Sequence, residues 1–261
     1  MLRTLITDRN LKNLLVFSAL MLAQVALASG TATAQDINTI VANMVRAQRQ
    51  NRAQHTAYEV VRNYEIYKQD KPDAASHVTA TVDFLPPGEK TFKITESSGG
   101  MVEHVVRKAL EHEAELTQDP SQSEYSPANY DFAVIGHQAV DGNPCIVISL
   151  TPKRDSKDLL KGTAWVDART FLIRKVEGEP AKGLSFWLKD VHVTFTYRDV
   201  NGMWLRTASQ ASARVRFSGD MKLVSHDVNF KSLQSEDVAS AGTAPVLRPT
   251  QGRIRRVSNF R

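Results

Sequence analysis

Tyr197-Arg198-Asp199-Val200-Asn201-Gly202-Met203-Trp204-Leu205 reads as a complete β-hairpin. Asn-Gly supplies the two φ > 0 residues that a type I′ turn needs, and that turn matches the right-handed twist of its flanking strands. The same pattern recurs from Tyr130 to Phe230. Turn signals at Asp141-Gly142, Asp167-Ala168-Arg169-Thr170 and Gly219-Asp220 separate runs of alternating residues. The predicted strands cover 130–138, 145–151, 162–166, 171–178, 184–199, 203–217 and 221–231, with a short helix over Asp155 to Leu160. Such a run is a meander of antiparallel hairpins.

Upstream the period changes. Asp36 is placed to cap a helix running to about Gln50, in which Ile37, Ile40, Val41, Met44 and Val45 fall on one face. From Ala57 the period is two, with Tyr58, Val60, Arg62, Tyr64 and Ile66 on one side of a strand. A turn at Lys71-Pro72-Asp73 leads to a second strand, His77 to Leu85, and Pro86-Pro87-Gly88 to a third, Lys90 to Glu96. A second helix is expected over Met101 to Leu116, with Val102, Val105, Val106, Ala109, Leu110 and Leu116 as its apolar stripe. Helix, three strands, helix, then some seven strands is an α+β order: a large antiparallel sheet of about ten strands with helices covering one face. A sheet of about that many twisted strands curls.

The two ends read differently from the body. Arg3, Arg9 and Lys12 precede an apolar run of about 15 residues from Leu14 to Ala28, shorter than the ~20 that span a bilayer. With Ala32-Thr33-Ala34 as the cleavage site (Ala26-Leu27-Ala28 is the alternative), residues 1–34 are expected to be a signal peptide cut after Ala34, which places the protein in the periplasm. The expected domain is 35–238, followed by a disordered basic tail over 239–261. The net charge is +5; the signal segment holds a net two of these charges and the tail's arginines five, which leaves the body at −2. Basicity therefore belongs to the tail, and nucleic-acid binding by the domain loses its support. Arg253, Arg255 and Arg256 in the tail are candidates for contact with a membrane or an acidic partner. Cys145 is the sole cysteine, so no intramolecular disulfide exists, and its apolar neighbours mark it as a small buried hydrophobe.

Catalytic signatures are missing from the strands. His104 and His112 are eight residues apart on one helix, about 12 Å, too far to share one metal. No Gly-x-Ser-x-Gly elbow occurs, and Gly88-Glu89-Lys90-Thr91 lacks the spacing of a phosphate loop. The reading is a binding protein with no catalytic residue, metal or cofactor. Tyr58, Phe84, Phe92, Trp165, Phe171, Phe195, Tyr197 and Phe217 are the candidates for an inner apolar wall, and Ile40, Met44, Val105 and Leu110 for a helical lid.

The segment from Tyr130 to Lys231 resembles the LolA/LolB-type outer-membrane lipoprotein-sorting proteins. The likeness rests on Tyr130-Asp131-Phe132 with Gly136, Val140-Asp141-Gly142, and Leu150-Thr151-Pro152-Lys153. Lys161 to Asp167, Ile173 to Gly178, and Tyr197 to Leu205 complete it. The resemblance implies an incomplete β-barrel closed by helices, with a hydrophobic cavity for acyl chains. It implies lipids or lipoproteins as cargo, and membrane-associated donor and acceptor proteins as partners of a monomer. The rivals are a non-catalytic envelope-sensing or scaffold protein on the same fold, and an envelope hydrolase.

Overall fold

The computed structural model describes residues 36–68, 71 and 73–233. The expected signal segment with its cleavage site, and the tail with Arg253, Arg255 and Arg256, lie outside the described residues. Helix α1 (Ile37–Ala53) is followed by β1 (Tyr58–Lys68), β2 (Ser76–Leu85) and β3 (Glu89–Ser97). After helix α2 (Gly100–Gln118) come β4 (Tyr130–Val140), β5 (Asn143–Pro152), β6 (Leu160–Asp167) and β7 (Ile173–Pro180). The long strands β8 (Leu188–Val200), β9 (Met203–Val215) and β10 (Gly219–Ser232) complete the chain.

All ten strands form one open sheet in the order β3-β2-β1-β10-β9-β8-β7-β6-β5-β4. Each neighbouring pair from β4 to β10 is consecutive in sequence. The one long-range junction is β1 on β10, an antiparallel ladder from Tyr58–Ser232 to Lys68–Met221. The first three strands thus extend the sheet from the last strand of the meander, and β3 and β4 are left as its edges. The α+β class, the open curved sheet and the two helices are as the sequence predicts.

Two turns form as the residues dictate. Val140 faces Asn143 across Asp141 (φ 49°) and Gly142 (φ 74°), and Val200 faces Met203 across Asn201 (φ 53°) and Gly202 (φ 83°). A third is built on a buried side chain. The carboxylate of Asp167 accepts from the backbone N–H of Arg169 and Thr170, both at 2.9 Å, and from Nε of Arg174 at 2.6 Å. Burial alone pushes its carboxyl up, but the Thr170 N–H and the Arg174 guanidinium outweigh that and hold it below the usual aspartate range.

Three local expectations are corrected. Gly219 already faces Val215, so the last turn is Arg216–Ser218, just ahead of the Gly219-Asp220 signal. Strand β8 begins at Leu188, not Leu184: Leu188 pairs with Val215, the end of β9, and nothing on β9 remains for 184–187 to pair with. Residues 155–160 form no helix. Ser156 Oγ accepts from the N–H of Asp158 at 3.2 Å, the local side-chain bond that competes with helical pairing.

The helices seat on separate apolar clusters. Ile40, Val41 and Met44 of α1 pack with Tyr130, Ile146, Ile148, Leu150, Ala164, Val166 and Val176 of the β4–β7 half. Val106 and Leu110 of α2 pack with Tyr58, Val60, Tyr64, Val78, Val82 and Phe84 of the β1–β3 half. Between β6 and β7 the backbones pass so closely that a Cβ at Gly162 would stand 2.1 Å from the Glu177 carbonyl oxygen. Glycine at Gly162 and, opposite it, Gly178 is what permits this approach.

Candidate functional site

The ladder between β10 and β9 runs from Gly219–Val215 to His226–Ala208 and stops there. Beyond it the two strands part. Asn229 takes a left-handed φ of 51°, and the β1–β10 register shifts between Val60 and Val61. The separation leaves a hollow of about 160 Å³ lined mainly by Tyr58, Val60, Val200, Leu205 and Phe230, with Asp227 also on its wall. Tyr58 stacks on Phe84 at 5.2 Å and meets Phe230 at 5.2 Å. Burial pushes the Tyr58 hydroxyl up to about 12.

The C-terminal turns of α1 reach the same region. With no β10 partner, Trp204 of β9 pairs instead with the side chain of Asn51: Asn51 Nδ2 donates to the Trp204 carbonyl and Trp204 N–H donates to Asn51 Oδ1, both at 2.8 Å. Trp204 Nε1 donates to the Ile173 carbonyl at 2.7 Å, and the Arg174 guanidinium lies 5.0 Å from the ring centroid. A second hollow, about 200 Å³, lies on this side of Trp204 among Ala47, Gln50, Asn51, Leu172 and Asp199.

Next to the first hollow, α2 is fastened to the sheet by charge. Glu113 accepts from Arg62 Nη1 at 2.9 Å, from Lys90 Nζ at 2.7 Å and from Arg206 Nη2. Arg62 also pairs with Asp227 through Nε and Nη2. Arg62, Lys90, Glu113 and Asp227 keep 15% or less of their side-chain surface exposed. Three cations thus face two carboxylates, an excess of one positive charge. Burial by itself raises the Glu113 carboxyl, but Arg206, Arg62 and Lys90 reverse this and hold it well below the glutamate range. The Arg206 guanidinium also sits 4.9 Å from the Phe195 ring centroid.

The structure divides the sequence-predicted wall rather than gathering it. Ile40 and Met44 lie in the first cluster, with Phe171, Phe195 and Tyr197 packed against it. Tyr58, Phe84 and Leu110 lie in the second, with Phe92 against it. Trp165 is on the other face. It alternates with Ala164 and Val166, packs with Cys145 and Val147, and donates from Nε1 to Gln138 at 2.8 Å. Phe217 is 86% exposed in the turn between β9 and β10, away from both clusters. Val105 is 43% exposed, because α2 turns the Val106–Leu110 stripe inward instead. His104 is exposed, and His112 lies 2.8 Å from Asp158 and 3.4 Å from Glu115. Among the described residues, no group of three His, Cys, Asp or Glu side chains is placed to hold a metal.

The ionic anchor was missed in the sequence although two signals mark it. Arg62 occupies an inward phase of β1, between Val60 and Tyr64. Glu113 stands seven residues after Val106 and three after Leu110, on the buried stripe of α2.

No family model matches the chain. No curated protein matches it either. Solved structures that the chain is similar to include a DUF1329 family protein from Desulfovibrio piger, at 12% identity over 75% of this chain and 92% of that one, with a TM-score of 0.41. A LolA superfamily protein from Nitrosomonas europaea is 11% identical over 74% of this chain and 94% of that one, with a TM-score of 0.40. The lipoprotein LppX from Mycobacterium tuberculosis is 11% identical over 76% of this chain and 98% of that one, with a TM-score of 0.29.

Proposed function

We propose that this protein is a non-enzymatic periplasmic carrier that shields acyl chains of a lipid or lipoprotein between the sheet and its two helices. The observation that carries this reading is the parting of β9 from β10, which opens an apolar-lined hollow beside a charge-fastened helix. Each sheltered CH₂ contributes about 0.8 kcal/mol, so one acyl chain gains useful yet reversible affinity.

At about 160 Å³ the hollow is below the ~300 Å³ at which ligand pockets usually begin. An acyl chain therefore enters only as the hollow widens, and in this reading α2 and the end of α1, which are fastened beside its strands through Glu113 and Asn51, shift with it as a lid. Residues 1–34 as an export signal and the arginines after Ala239 as a membrane contact belong to the same reading, with membrane-associated proteins as donor and acceptor.

The size of the hollow equally favours a second reading, a filled core in a scaffold or envelope-sensing protein. Native mass spectrometry with lipid extraction separates the two, using protein purified from the periplasm without detergent. Bound phospholipid or acylated peptide supports the carrier. A bare polypeptide mass that stays bare after incubation with lipid vesicles overturns it in favour of the scaffold.

A further inference from the structure

Phe186, Trp187 and Phe217 are the three exposed Phe and Trp side chains among the described residues, at 70%, 54% and 86%, and all three meet at one corner of the sheet. Two chain segments build that corner: the loop between β7 and β8, residues 181–187, and the turn between β9 and β10. The pairing of Leu188 with Val215 brings them together, and the Arg216 N–H donates to the Trp187 carbonyl at 3.0 Å. Phe186 meets Trp187 edge-on at 5.7 Å, and Trp187 lies 6.1 Å from Phe217. The Arg216 guanidinium sits 4.7 Å from the Phe186 ring centroid and 5.3 Å from that of Phe217.

Folding does not explain these residues. Phe217 adopts φ 69°, a left-handed conformation uncommon for a bulky side chain, and its ring buries almost nothing in return. A turn of this kind is served by Gly or Asn. An outlier without a packing gain points to something outside the chain.

We propose that the Phe186–Trp187–Phe217 corner docks the protein on the surface of an anionic lipid bilayer. Over residues 181–190 and 214–220, Lys182, Lys189, Arg214 and Arg216 stand against Asp190 and Asp220 as the only acids, and both of these acids pair with Arg214. The positive excess matches anionic head groups, and a Trp beside an arginine suits the boundary where acyl chains meet water. The patch is also too small for a stable protein interface. Three rings of about 150–250 Å² each, exposed to the extent given, offer roughly 400 Å², half of the ~800 Å² that each partner contributes to a standard complex. This inference does not depend on what the covered face carries.

Vesicle flotation tests it, comparing phosphatidylcholine vesicles containing phosphatidylglycerol with pure phosphatidylcholine vesicles at low salt. The protein is expected to float with the anionic vesicles. The triple variant Phe186→Ser, Trp187→Ser, Phe217→Ser, altered only at exposed positions, is expected to lose about tenfold in partitioning, and Arg216→Glu severalfold. Tryptophan emission is expected to shift to the blue on the anionic vesicles. Trp187→Phe should still float while losing most of that shift, which assigns it to this ring. Equal flotation of the triple variant, as when the tail alone binds lipid, overturns the proposal. So does a triple variant that changes only self-association in size-exclusion chromatography, which would make the corner a contact between copies.

Discussion

The Glu113 carboxylate of α2 lies 2.9 Å from Nη1 of Arg62 in β1, so the second helix is held to the sheet by a nearly dry ion pair as well as by Val106 and Leu110. Lys90 of β3 and Arg206 of β9 converge on the same carboxylate, tying strands from both sides of the β1–β10 junction to one side chain. Glu113→Ala strips three cations of their shared partner and leaves only Asp227. Chemical denaturation is expected to show a loss of about 3–5 kcal/mol.

The same carboxylate sets an acid limit. Its folded pKa is depressed below the ordinary 4.5, so its contribution is fully present above that pH and is lost as pH falls through the lower folded value. The midpoint for urea unfolding is expected to drop below about pH 4.5 and to flatten in Glu113→Gln, which has no charge to lose there. An unchanged acid slope in Glu113→Gln would mean that other carboxylates set the limit.

The Asn51–Trp204 pair fastens α1 where β9 has no β10 partner. Asn51→Ala removes both hydrogen bonds to Trp204 and strands the Trp204 N–H, at a cost of about 2 kcal/mol. Hydrogen exchange should report it locally: the Trp204 amide is expected to lose protection while Val147, deep in the β5–β6 ladder, keeps its own.

At Gly162 the partner backbone leaves no room for a side chain. Gly162→Ala must push β6 from β7, and overpacking of this kind costs about 1–3 kcal/mol. Gly136, with open space where a Cβ would stand, is the control: Gly136→Ala is expected to cost well under that. Thermal unfolding of the two variants compares them directly.

If acyl chains use the parting of β9 and β10, filling it should exclude them. Val200→Phe adds volume at a partly buried position on the hollow's lining. The variant is expected to keep its fold by circular dichroism and to lose most of the lipid extracted with the wild-type protein. Undiminished lipid would place the chain elsewhere.

Much of this architecture is legible residue by residue. Asn201-Gly202 and Asp141-Gly142 specify their turns because only left-handed residues close a two-residue hairpin. The alternation from Tyr58 to Ile66 survives as a strand buried on one side. Errors gathered where partners decide. Leu184 to Trp187 has strand-like residues but no strand left to pair with, and Val105 loses its place to Val106 because a stripe of α2 is chosen by the surface beneath it. Trp165 fell on the wrong face for a related reason: its β6 neighbours Ala164 and Val166 supply the covered side.

By itself, then, the sequence determined the local grammar: strand period, turn type, helix amphipathicity, and so an α+β chain with a long antiparallel meander. Those properties depend on φ preferences and on spacing along a few residues. Tertiary structure alone decided that β1 joins β10, that β9 and β10 part beyond Ala208, and that Glu113 meets Arg62, Lys90 and Arg206. It also brought Phe186 and Phe217, 31 positions apart, to either side of Arg216. These are meetings of groups far apart in the chain, and their energies exist only once burial has removed the water between them.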